Sequence, residues 1–275
     1  MKKKVVICDI DSTLVIKHKP LSARAQGVVD YIRSKGILFG IASGRPIEDL
    51  RKIVAGWGMD PNKVDVYIGM NGGSLWDRFH QEEYEYFVMK KEWLQETVEA
   101  MKQFEANPII YEPGIVVTTR VDDMVRLSAE STKRDICFAE SEERLWQSEN
   151  GKIMFRVSEE VMPKVEEYFS IHTNPYYIGF KTQPTLFEFC DKRINKGYAL
   201  QEFCKMNALT LDEIIAFGDT SNDNEMLKVA GVGVCMINGS DDTKACADVI
   251  TEKPCEEDGW ADYMENYFYQ EEGIV

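Results

Sequence analysis

The sequence predicts an α/β protein, a mostly parallel sheet whose chain path is interrupted by an inserted α+β unit. Three observations predict it. Short apolar runs alternate with amphipathic helical stretches over the first part of the chain, up to about residue 81. The texture changes over 82–189, where strands are joined by short turns with helices between. After Asn195 the strand–helix rhythm resumes. The expected organisation is therefore a core from 1–81 and 190–275, with an insert at 82–189.

The elements follow in order. Val5-Val6-Ile7-Cys8 is apolar throughout, as in a strand buried on both faces, and the strand is read as 5–10. A helix over 22–35 puts Ala25, Val28, Val29 and Ile32 on one face. Ile37–Ala42 is the next strand, and a helix beginning near Pro46 carries Ile47, Leu50, Val54 and Trp57. Val64–Gly69 is a strand ending in Asn71-Gly72-Gly73. In the insert, Glu82–Met89 alternates like a half-exposed strand, and 91–105 aligns Leu94, Val98 and Met101 on a helix. Lys152–Ser158 is a strand, 159–171 a helix, and Tyr176–Cys190 a strand pair broken around Thr182-Gln183-Pro184. The core then resumes with a helix at 196–206, strand Glu213–Phe217 and a helix near Ser221. Strand Val232–Met236, a short helix at 241–247 and a final helix at 258–271 complete it.

Composition narrows the function. A formal charge of −15 argues against nucleic acid, which needs a basic face, but allows a small anionic substrate at a locally positive site. The 7 cysteines form no CxxC pair and no zinc spacing, which fits a reducing compartment. Lys2-Lys3-Lys4 precedes an apolar run that Asp9 cuts too early for a secretory signal. No run approaches the ~20 apolar residues of a membrane helix. A cytoplasmic protein with no membrane partner is expected, its oligomeric state open between monomer and homodimer.

The chemistry gathers at strand ends, where open α/β sheets bind ligands. The first strand delivers Asp9 and Asp11, like charges that resist desolvation unless something offsets them. Phe217-Gly218-Asp219-Thr220-Ser221-Asn222-Asp223 repeats the pattern. Thr220 and Asp223 also fit a capping box, which accounts for Asp223 but not for Asp219. If the two strands are neighbours, three carboxylates converge and a hard dication compensates them. Oxygen ligands without a nearby histidine favour Mg2+ over zinc. Ser43, in Ser43-Gly44-Arg45-Pro46, is either a helix cap or one wall of an anion site. Lys196 opens a helix, the end where the macrodipole disfavours a cation, and so hints at a nearby anion. Arg45 reads equally as a substrate contact or an ion pair. The histidines at 18, 80 and 172 make no metal spacing, and Gly231-Val232-Gly233 precedes a strand and lacks a third glycine, so it is no dinucleotide loop. Cys8 reads as a small core residue, and Trp260, Tyr263, Tyr267 and Phe268 as one helix face packed on the sheet.

Asp9-Ile10-Asp11-Ser12-Thr13-Leu14, Ser43, Lys196 and Gly218–Asp223, in that order and at those strand ends, resemble the motifs of haloacid dehalogenase-like (HAD) phosphatases. The insert between the second and third motifs resembles the α/β cap of the Cof-type subfamily. The resemblance covers the whole chain, although within the insert it is architectural only, and departs at Ser12, where the family usually has glycine. It implies a Rossmann-like core with an inserted cap that closes over the site and sets specificity. It also implies a Mg2+-dependent phosphomonoesterase acting on a small phosphorylated metabolite such as a sugar phosphate, nucleotide or phosphorylated cofactor. Asp9 would be the nucleophile that forms an aspartyl-phosphate and Asp11 the general acid–base. Mg2+ would be held by Asp9, the Asp11 carbonyl and Asp219, with Asp223 behind them. Ile10, Ser43, Gly44, Lys196 and Asn222 would cradle the phosphate. In the insert, Arg120, Arg126, Lys133, Arg134, Arg156 and Lys181 are candidates for a substrate's distal anion. The alternatives are a phosphomutase of the same fold and a non-catalytic sensor of a phosphorylated ligand.

Overall fold

The structure is a computed structural model that describes residues 2–17 and 19–271; His18 lies outside the described residues. The chain begins with β1 (Val5–Cys8), α1 (Ala23–Ser34), β2 (Leu38–Ala42), α2 (Ile47–Gly56), β3 (Val66–Gly69), β4 (Ser74–Asp77) and β5 (Glu83–Glu85). The insert carries α3 (Lys91–Met101), β6 (Asn107–Glu112), β7 (Ile115–Thr118), α4 (Asp123–Thr132), β8 (Asp135–Phe138), β9 (Lys152–Arg156), α5 (Met162–Ile171), β10 (Tyr177–Gln183) and β11 (Leu186–Asp191). The last stretch holds α6 (Lys196–Met206), β12 (Ile214–Gly218), α7 (Asn224–Val229), β13 (Val232–Cys235), α8 (Asp241–Lys244), β14 (Val249–Ile250) and α9 (Gly259–Glu271).

Two compact units result, one running to Glu85 and resuming at Asn195, the other Tyr86–Ile194. Among the described residues the first unit's sheet has the order β14-β13-β12-β1-β2-β3-β4-β5. It is parallel from β14 to β3 and ends in an antiparallel β3-β4-β5 meander. β1 lies at the centre because all four of its residues are apolar and can be buried on both faces. Its registers, Cys8 opposite Phe217 and Cys8 opposite Ile41, put the carboxyl ends of β1, β2 and β12 side by side. On one face α1, α2 and α9 pack in a continuous apolar cluster, with Trp260 between Phe39 and Phe217 at 6.0 and 6.2 Å between ring centroids. Alternate residues such as Val5, Ile7 and Ala216 are equally buried, so the other face is covered too.

The second unit is a sheet of order β10-β11-β9-β6-β7-β8 in which only β7 and β8 run parallel. Leu94 and Val98 of α3 and Met162 and Val165 of α5 cover one face over Phe155, Phe187 and Phe189. Val125 and Ala129 of α4 cover the other over Ile109, Val116 and Met154. Among the described residues no helix is long and apolar enough to cross a membrane.

Three expectations are corrected. Glu82–Met89 is a strand only over Glu83–Glu85, because Phe87 takes a left-handed backbone (φ +54°) that ends the extended run. That strand pairs with β4 in the first sheet, so the units divide at 85/86 rather than 81/82, and again at 194/195 rather than 189/190. The helix expected over 159–171 starts only at Met162, with Pro163 in its first turn. The sequence reading also leaves out β4, the hairpin β6–β7, α4, β8 and β14.

Asp65 ties β2 to β3. Its buried carboxylate accepts from the Phe39 amide (2.9 Å), from Arg78 (2.7 Å) and from Arg33. In Asp65→Ala the two arginines can turn to water, whereas the buried Phe39 amide loses its acceptor. A loss of about 2 kcal/mol in urea unfolding is expected, and a change under ~0.5 kcal/mol would contradict this account of the β2–β3 junction.

Candidate active site

The Asp9 amide donates to the Phe217 carbonyl (3.0 Å), which carries the β1–β12 ladder one residue past the strand and presents a buried carboxylate. The chain then folds back on itself. Leu14 and Val15 both donate to the Ile10 carbonyl (3.0 Å), and Ser12 donates to Val15 (2.8 Å). Ser12 has φ +63°, a backbone that glycine adopts without strain. Asn238 reaches across to the Ser12 carbonyl (2.9 Å), and the Thr13 hydroxyl donates to Asp219 Oδ1 (3.0 Å).

Lys196 is the first residue of α6, whose N-cap is Asn195, and it is wholly buried. Its Nζ donates to Asp9 Oδ1 (2.5 Å) and Asp223 Oδ1 (2.6 Å). The other Asp223 oxygen accepts from the amides of Asp219 (3.0 Å) and Thr220 (3.2 Å), closing the expected capping box. Gly218 permits this approach, since a Cβ there would lie 2.4 Å from that of Asp223. Burial works against the ammonium's charge, but Asp223 and Asp9 outweigh it and hold Lys196 above its usual range. Burial raises the Asp9 carboxyl; Lys196 opposes the rise, and Asp223 and Asp219 add to it. Burial, with the charge of Asp223, pushes Asp219 up to about 7.

Ser43 leaves β2 buried, and its hydroxyl accepts weakly from the Arg45 amide (3.4 Å). It is not the cap of α2, whose N-cap position is Pro46. Arg45 forms an ion pair with Asp11 (Nη2 to Oδ2, 2.7 Å). Asn71 stands against Gly44, where a Cβ would lie 3.1 Å from its Oδ1, and accepts from Asn222 Nδ2 (3.1 Å). The expected residues Asp9, Asp219, Asp223 and Lys196 thus share one cluster, Asp11 faces Arg45, and Ser43–Gly44 and Asn222 meet through Asn71. Thr13, Asn71 and Asn238 were missed as site residues. Thr13 and Asn71 lie inside or beside the motifs, and Asn238 follows a strand's carboxyl end, so the strand-end rule could have found all three. In the second unit, Arg156 bonds Ser128 and Thr185, Lys181 pairs with Glu166, Arg120 with Asp122, and Arg134 stacks on Tyr111.

Asp9, Asp219 and Asp223 each offer one carboxylate oxygen, all within 4.8 Å of one another. An all-oxygen set suits a hard dication, and the carboxyls of Asp9 and Asp219 are raised first by burial and then by the neighbouring carboxylates.

Over residues 6–264 the chain matches the haloacid dehalogenase-like hydrolases. It belongs to that family. This hydrolase is 24% identical to the Bacillus subtilis 5-amino-6-(5-phospho-D-ribitylamino)uracil phosphatase YitU, over 97% of this chain and 98% of that one. A haloacid dehalogenase-like hydrolase of Bacteroides thetaiotaomicron shares its fold with a TM-score of 0.83, at 26% identity over 97% and 100% of the chains. The HAD subclass IIB sugar phosphatase BT4131 superposes with a TM-score of 0.79 at 23% identity, over 99% and 100%. Membership and fold agree with what the motifs imply.

Because the folded hydrolase holds a proton on Asp219 up to about pH 7 while the unfolded chain releases it near pH 4, its metal-free stability should fall as pH rises. Thermal midpoints in EDTA are expected to drop between pH 5 and 8, and Mg2+ should flatten the slope; parallel slopes would contradict this. Ser12→Gly relieves a left-handed serine but loosens the unfolded chain, effects of similar size. Its unfolding free energy should stay within about 1 kcal/mol of the parent, with full activity retained.

Proposed function

We propose that this HAD-like phosphatase hydrolyses small soluble phosphate monoesters, with Mg2+ and through a phosphoryl-aspartate. The observation that carries the reading is the Lys196 ammonium joined to Asp9 and Asp223, beside Asp219, at the carboxyl ends of two neighbouring strands. Asp9, Asp219 and the Asp11 carbonyl, backed by Asp223, would hold Mg2+, which when bound offsets carboxylate charge and polarises the phosphoryl group. Lys196 keeps Asp9 oriented and favours its ionised form. An Asp9 oxygen attacks phosphorus, and the ester oxygen leaves. Asp11 gives that oxygen a proton, then takes one from the water that cleaves the aspartyl-phosphate, so the chain returns to its starting state. Ser43, Lys196, Asn222 and the amides of Ile10 and Gly44 receive the equatorial oxygens, where transition-state charge gathers.

The named relatives act on a phosphorylated ribitylaminouracil and on sugar phosphates, which supports small phosphorylated metabolites as the substrate class here. All of the proposed machinery lies in the first unit. We assign the choice of substrate to the insert.

A panel of sugar phosphates, nucleotides and phosphorylated cofactors should release inorganic phosphate with Mg2+ and none with EDTA. Return of the phosphoryl group to a sugar without free phosphate would indicate a mutase, and tight binding without turnover a sensor. Asp9→Asn should cut turnover ~10⁴-fold or more with the fold retained, and undiminished turnover would remove Asp9 from its role.

A further inference from the structure

The turn Met70-Asn71-Gly72 has three successive left-handed residues, at φ +53°, +56° and +101°. Met70 holds a backbone that costs an L-residue about 1–2 kcal/mol, and such strain persists only where the surroundings fix it. Here they do. Met70 donates to the Arg45 carbonyl (3.0 Å) and Asn71 to the Ser43 carbonyl (3.0 Å). Gly72 passes so close to α6 that a Cβ would lie 2.1 Å from the Asn195 carbonyl, one residue before Lys196. One turn therefore touches the loop after β2, the start of α6 and, through the Asn71 side chain, the loop after β12.

The Asn222 amide is held from both ends. Its oxygen accepts from the Thr220 hydroxyl (2.7 Å), and its nitrogen donates to Asn71 Oδ1 (3.1 Å). An amide nitrogen has two N–H groups, so these bonds fix the direction of the second. Without Asn71 an exposed side chain keeps a single anchor and can rotate. We infer that Asn71 is a positioning residue that aims the Asn222 amide at the substrate's phosphoryl oxygen. This rests on the assignment of Asn222 to the phosphate cradle.

The test measures orthovanadate binding to the Mg2+-loaded protein by calorimetry for Asn71→Gly, Asn222→Ala and the double variant, with thermal midpoints alongside. Glycine takes the left-handed backbone without strain, so Asn71→Gly removes the amide and keeps the turn. Each single variant should weaken binding about tenfold, the scale of one hydrogen bond to an anion, and the double should lie within twofold of Asn222→Ala. The inference is overturned if Asn71→Gly binds like the parent while Asn222→Ala is impaired, or if the double shows the product of the two single losses. Parental binding by Asn222→Ala would overturn the cradle assignment itself, and the inference with it.

Discussion

The ammonium of Lys196 stands between two carboxylates; it and Asp223 are sealed from solvent, and Asp9 keeps only an edge of its side chain exposed. An isolated buried charge of either sign is costly, and a pair offsets that cost only when its geometry is good and the remaining lone pairs are satisfied. Asp223 meets both conditions, since one oxygen takes the ammonium and the other two amides. Three distant segments, the end of β1, the start of α6 and the turn after β12, have to arrive together for this to hold. The same contact resolves the misplaced charge at the helix start. α6 tolerates a cation against its dipole because two anions stand in front of it.

Around that contact, main-chain bonds set the geometry and side chains set the charge. The loop after β1 closes on its own carbonyls, and the turn after β12 on Asp223. Two of the acidic side chains there have a cationic partner, Asp9 in Lys196 and Asp11 in Arg45.

Much of this was legible in the sequence wherever one local signal sufficed. β1, β2 and β12 are apolar runs with acidic or small residues at their carboxyl ends, and α6 begins at Lys196, where the sequence reading starts that helix. The convergence of Asp9 and Asp219 could be argued because a parallel sheet aligns all its carboxyl ends, and Lys196 is signalled by a cation at a helix start. Less legible were elements whose signals conflict. β6 carries Pro108 and continues into Glu112, so its alternation is weak, although Pro113-Gly114 before Ile115 marks the hairpin. β8 is half-exposed and short. The Asn71–Asn222 bond could not be read at all, because it joins two polar loops 151 positions apart whose composition says only that they turn.

The register of β1 also governs the order in which the chain can assemble. Its two neighbours are β2, close in sequence, and β12, which begins at Ile214. On a ribosome adding about 5–20 residues per second, one side of β1 therefore stays unpaired for roughly 10–40 s. The second unit closes on its own apolar clusters and needs nothing from β12, so it can fold during that wait. The strand pairing thus permits a nested assembly, inner part before outer, with the unpaired edge of nascent β1 as its most exposed intermediate feature.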